Sequence, residues 1–172
     1  RNNTDGYWND LPTTSSTLAS VVETQLSPSP LTISAGTGTV TFGGPVGTGK
    51  PLKSLSVTAE STAINGGTVV TNSGSVSGGQ SYSGNITLGS ASTTLSMLDT
   101  PTDFTLNSGK TLTNATNADA SLTIKTTAGI VLGANSGISS ATGKLNTILW
   151  VDTDGNGGGI FVNSGSRVLF LP

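Results

Sequence analysis

Histidine and cysteine are both missing from the 172 residues, and charged side chains number only 16. Without them no Ser-His or Cys-His nucleophile can be built. Neither can a zinc site of nitrogen and sulfur ligands. Disulfides are excluded, so order must come from packing and hydrogen bonds. The charged fraction is 9%, against ~25% in ordinary soluble domains. A net charge of −2 argues against a nucleic-acid partner, which requires a basic footprint. Long apolar runs are also lacking. The longest are four residues, as in Ile148-Leu149-Trp150-Val151, far short of the ~18 residues of a membrane span. The chain opens at Arg1 without a signal-peptide pattern, and it reads as a processed product or an excerpt.

Four small polar or turn-forming types fill the space left over. There are 29 Thr, 24 Ser, 24 Gly and 13 Asn, which is 90 residues and more than half of the chain. Leu, Ile, Val and Phe still number 41, about 24%, above the ~20% line below which a chain is expected to be disordered. The length suits one domain or a piece of a longer array.

The apolar residues come as spaced pairs: Leu31/Ile33, Val40/Phe42, Leu55/Val57, Ile86/Leu88, Leu95/Met97, Phe104/Leu106, Leu122/Ile124, Ile130/Leu132, Ile148/Trp150, Ile160/Val162 and Val168/Phe170. Alternation of period two is the strand signal, because successive side chains face opposite ways. Gly, Asn and Ser between the pairs supply turns. Only residues 15–26 offer a helical spacing, with Leu18, Val21, Val22 and Leu26 on one face before Pro28 and Pro30. This divides the chain into a weakly structured leader, 1–30, and a repeat body, 31–172.

Short strands at even spacing fit a sandwich, a barrel or a solenoid. Strands of three to five residues are short for a sandwich, and the sequence echoes itself. Asn-Ser-Gly begins at Asn72, Asn107, Asn135 and Asn163. Leu106-NSGKT-Leu112 and Val162-NSGSR-Val168 share one frame. Fixed-period similarity marks stacked repeats. The expected fold is therefore all-β: a parallel β-helix, or β-solenoid, of short strands. Thr on the outer faces supplies β-propensity without charge, and Gly and Asn at the corners tolerate positive φ.

The stretch 39–95 carries TFGGPVG (41–47), LKSLSV (52–57), TAINGG (62–67) and a Gln80-to-Gly89 segment QSYSGNITLG. Together with the tail 137–165 it resembles the tandem repeats of large bacterial exoproteins related to filamentous haemagglutinin. The resemblance implies a right-handed parallel β-helix of about seven coils of roughly 18–22 residues with the spaced pairs inward. It also implies export through an outer-membrane partner and adhesive or fibrous roles at the cell surface. The leader departs from that family, and its N-terminal secretion domain is missing from this sequence.

Asp152-Thr-Asp154-Gly-Asn156-Gly157 places oxygen ligands at positions 1, 3 and 5 and Gly at 6, as in a calcium loop. Asp152, Asp154 and Asn156 are thus candidate calcium ligands. Asn163 stands at position 12 where a bidentate Glu is expected, and an Asx- and Gly-rich corner accounts for the same residues. The carboxylate pairs Asp152/Asp154 and Asp99/Asp103 are the remaining catalytic apparatus, but their sequence is turn-like. Asn2, Asn85 and Asn114 begin N-x-[ST] triplets, which a Thr-, Ser- and Asn-rich chain produces by chance. Tyr7, Trp8 and Trp150 are candidates for stacking on sugar rings, or for filling the core. Gly43 to Lys50 ends in GTGK, but Pro51 follows where a phosphate loop needs Ser or Thr.

No enzyme activity and no cofactor is expected from this inventory, calcium apart. The expected role is a structural or adhesive segment of a secreted, extracellular or cell-surface bacterial fibre that associates with itself end to end. The apolar ending Val168-Leu169-Phe170-Leu171-Pro172, with no polar cap, supports that expectation. The alternative is a module that binds surface glycans or ice on a flat Thr-rich face, and a polysaccharide-active β-helix comes third.

Overall fold

Alternating apolar residues separated by turns leave the backbone one economical solution, which is to pair each strand with its equivalent one turn away. A computed structural model describes residues 28–72, 79–98, 102–115, 119–141 and 143–169, and in it the chain winds as a parallel β-solenoid. Three sheets run along it. The first stacks β1 (Leu31–Ser34), β3 (Leu55–Thr58), β6 (Gln80–Tyr82), β9 (Phe104–Leu106), β12 (Gly129–Leu132) and β15 (Gly159–Val162). The second stacks β2 (Thr39–Phe42), β4 (Ser61–Ile64), β7 (Asn85–Leu88), β10 (Thr111–Asn114), β13 (Gly137–Ser139) and β16 (Arg167–Leu169). The third has β5 (Thr68–Thr71), β8 (Ser92–Met97), β11 (Ala120–Lys125) and β14 (Leu145–Trp150). Every pairing between them is parallel.

Four turns contribute a strand to all three sheets, and a partial turn lies at each end. Seven coils of 18–22 residues is therefore a miscount. Leu31 pairs with Leu55, Leu55 with Gln80, Gln80 with Phe104, Phe104 with Ile130 and Ile130 with Ile160. A turn thus takes 24 to 30 residues along the first sheet, because it carries three strands and three corners.

The spaced pairs form the core where the alternation is strict. Leu55, Val57, Ile86, Leu88, Leu95, Phe104, Leu106, Leu122, Ile124, Ile130 and Leu132 are all buried. Each contributes roughly 1.5–3 kcal/mol by leaving water. Two pairs depart from that rule. Ile148 and Trp150 point outward and are each 52% exposed, since Leu149 is the residue registered on buried Ile124. Leu145-Asn-Thr-Ile-Leu-Trp has apolar residues at both parities, so alternation alone cannot choose the inward set. Ile160 and Val162 do register on Ile130 and Leu132, yet they are 43% and 49% exposed, for β15 is the last strand of its sheet.

The Asn-Ser-Gly echo has a structural counterpart. Gly109 and Gly165 hold positive φ at the same corner two turns apart, and Asn135 takes the positive φ of the turn between. Asn is the non-glycine residue most at home there. Asn107, Asn135 and Asn163 follow one another at 28 residues, yet the turns are unequal, so the middle triplet sits two positions out of frame with the other two. Leu106 to Leu132 is 26 and Leu132 to Val162 is 30 by register.

The helical reading of 15–26, Tyr7, Trp8, Asn2, Asp99 and the leader up to residue 27 all lie outside the described residues, as do Phe170, Leu171 and Pro172. Among the described residues no helix is long and apolar enough to cross a membrane.

Candidate functional site: outer faces and corners of the solenoid

The calcium candidates sit at the corner between β14 and β15. Asp152 is in the left-handed region at φ 58°, and its Oδ1 accepts the Gly157 N–H at 2.7 Å. Asp154 accepts from Asn156 twice, with the backbone N–H reaching Oδ1 at 3.3 Å and the side-chain amide reaching Oδ2 at 2.8 Å. The structure thus brings the three residues together, but with N–H donors converging on carboxylates. A calcium ion wants six to eight oxygens, and here it would have to displace those donors. Among the described residues no three acidic side chains gather at a metal-sized site.

Asp103 stands on the exposed rim of the first sheet, where its Oδ1 accepts the Gly129 N–H at 2.7 Å. A carboxylate spent on its own scaffold in this way fastens one turn to the next. Asn114, which opens one of the triplets, belongs to the core. Asn114 is buried, and its Oδ1 accepts the Ala141 N–H at 2.8 Å. Asn85 also serves the ladder, accepting both the backbone N–H (3.0 Å) and the hydroxyl (3.3 Å) of Thr111. The GTGK segment leads into no helix. Its Gly47, at φ 73°, lies so close to the next turn that a Cβ would meet the Val70 carbonyl oxygen at 2.2 Å. Trp150 lies on the outer face of the third sheet with the Lys125 ammonium 5.1 Å from its ring centre, a cation–π contact.

Sequence reasoning missed a polar network inside the core. Gln80 and Tyr82 occupy inward positions of β6 and are essentially unexposed. The Gln80 amide donates to the carbonyls of Val69 and Ser96 at 3.1 and 3.3 Å, bridging from the first sheet to the third. Burial pushes the Tyr82 phenol well above its ordinary pKa. The signal was present as Gln-x-Tyr at strand spacing, but polar residues at that spacing are usually outward.

The outer faces are hydroxyl-rich. In the second sheet the register aligns Thr39, Ser61, Asn85 and Thr111 in one column and Thr41, Ala63, Thr87, Thr113 and Ser139 in the next. Thr39 and Ser61 share a hydrogen bond at 2.8 Å. No family model, no curated protein and no solved structure matches this chain. What stands is the architecture, a parallel β-solenoid of about four turns.

Proposed function

We propose that this chain is a structural or adhesive segment of a secreted bacterial surface fibre, of the filamentous-haemagglutinin-like kind, and that its copies associate end to end. One observation carries the reading. The last strands, β14, β15 and β16, each have a free edge among the described residues, and the inward-facing Ile160 and Val162 beside them are 43% and 49% exposed. Free edges beside apolar surface invite pairing with another chain. At the other end β1 and β2 are likewise edge strands of the first and second sheets. A head-to-tail contact of this type is heterologous and generates an open filament.

The reading is non-catalytic, extracellular and free of nucleic acid. Carboxylates occupied by scaffold N–H groups and hydroxyl-clad faces support a spacer more than a reaction centre. Electron microscopy of the purified chain tests it. Filaments with an axial repeat of one subunit are expected, and deleting residues 1–30 should abolish them if the leader covers the end of the neighbouring copy. Monodisperse particles at high concentration would overturn self-association.

The second reading is a binding module. The two aligned Ser/Thr columns of the second sheet favour it, since a flat face rich in hydroxyls and poor in charge presents donors and acceptors to a glycan or to ordered water.

A further inference from the structure

A depression of about 330 Å³ opens on the second sheet where β10, β13 and β16 lie side by side. Its origin is a missing side chain. Thr111, Gly137 and Arg167 follow one another in a single outward column, and Gly137 leaves a gap between the other two. Asn135, Ser136 and Ser139 complete the walls.

The chemistry of the walls is specific. Arg167 is exposed, and among the described residues no carboxylate pairs with it. The ion pair among the described residues joins Lys110 and Glu60 instead, at 3.9 Å. Ser136 backs the wall through its main chain, its Oγ being buried and closed off from the depression. The Thr111 hydroxyl gives its hydrogen to Asn85, so its oxygen is left as an acceptor.

We propose that this depression holds the carboxylate of an acidic sugar, with the Arg167 guanidinium as its counter-ion. The planar five-donor fork of Arg matches a carboxylate in two parallel hydrogen bonds. The hydroxyls of Ser139 and Thr111 and the Asn135 amide are the small set of polar groups that orient a ring. The volume fits a single sugar residue, and the Thr113/Thr87 column beside it gives further residues a hydroxylated track. A single cation on a chain of net charge −2 suits one unit of negative charge rather than a dense polyanion. The inference goes beyond the fibre reading and does not depend on end-to-end association.

The test is amide NMR titration of the full chain with a trisaccharide of hexuronic acid, its methyl ester, a neutral hexose trisaccharide and a short peptide with a free C-terminal carboxylate. The acid trisaccharide should shift Gly137, Ser139 and Arg167. Arg167→Gln should weaken binding at least tenfold and Arg167→Lys less, while the ester and the neutral sugar leave the spectrum unchanged. Ser139→Tyr, which fills the depression without touching the guanidinium, should also abolish binding. Failure of the acid sugar to bind, equal binding by the ester, undiminished binding by Arg167→Gln or Ser139→Tyr, or preference for the peptide would each overturn the proposal. Microscopy of the same variants reads the fibre proposal separately, since filaments are scored without any sugar.

Discussion

Tyr82 donates its phenolic hydrogen to Gln80 Oε1 at 3.0 Å, two positions away on the same strand and wholly inside the solenoid. Phe104, on the next turn, stands beside it with ring centres 5.9 Å apart and planes tilted by 42°. A thin core thus contains one connected polar brace among apolar side chains. Its members satisfy one another, which keeps the cost of burying them low.

Tyr82→Phe leaves the Gln80 carbonyl oxygen without this donor, and we expect a loss of about 1–3 kcal/mol, the usual cost of an unpaired buried group. Gln80→Leu should cost a comparable amount, and the double variant less than the sum, because the two share one interaction. Urea unfolding of all four chains measures the coupling. Additive effects would show that the pair contributes no shared energy.

The same tyrosine sets an alkaline limit. Its folded-state pKa is raised by burial, so above the ordinary value of about 10 the unfolded chain releases a proton that the native chain keeps. Stability is thus fully present below pH ~10 and falls as pH rises further, by about a tenfold drop in the folding constant per pH unit. Tyr82→Phe should remove most of that slope. A wild-type midpoint flat between pH 9.5 and 11.5 would show that the phenol is not shielded.

Parity on β14 can be tested by paired substitutions. Ile86→Asp should unfold the array, because an unpaired carboxylate would enter a position with no exposure and no partner. Val40→Asp should act in the same direction but less strongly, as Val40 is only half-buried on an end strand. Ile148→Asp should leave the β circular dichroism intact and shift the thermal midpoint little, since that side chain already faces water. Unfolding by Ile148→Asp comparable to that by Ile86→Asp would invert the outward assignment.

Gly79 carries no side chain because a Cβ there would meet the Asp103 carbonyl oxygen at 2.0 Å. That oxygen accepts the Gln80 N–H at 3.0 Å, so it cannot retreat without breaking the ladder. Gly79→Ala should therefore cost on the order of 1–3 kcal/mol, as overpacking does. Chemical denaturation measures it, and a neutral outcome would mean that the turns separate more freely than their spacing implies.

Calcium makes a direct test of the Asp152 corner. With N–H donors already seated on both carboxylates, we expect the thermal midpoint to be the same in millimolar calcium as in EDTA. Asp152→Ala, which removes the Gly157 contact, should destabilise by about 1 kcal/mol. A midpoint that rises and saturates with calcium, and no longer does so in Asp152→Ala, would establish a metal site instead.

Period-two pairs, Gly- and Asn-rich corners and the Asn-Ser-Gly echo were enough to specify a β-solenoid, because each is a local property written in consecutive residues. They also placed most inward side chains correctly, from Leu55 to Leu132. The number of residues per turn was not local. It depends on how many strands and corners close one circuit, and only the register of Leu31 on Leu55 and its successors decided that. The parity of β14 was equally hidden, since Leu145, Ile148, Leu149 and Trp150 satisfy both faces until β11 selects one. The anchoring of Gln80 on the Val69 carbonyl and the gap at Gly137 depend on groups that 11 to 30 positions of sequence separate and the winding of the solenoid brings together. Composition sets what such a chain can be made of, whereas contact between successive turns decides where its polar groups find partners.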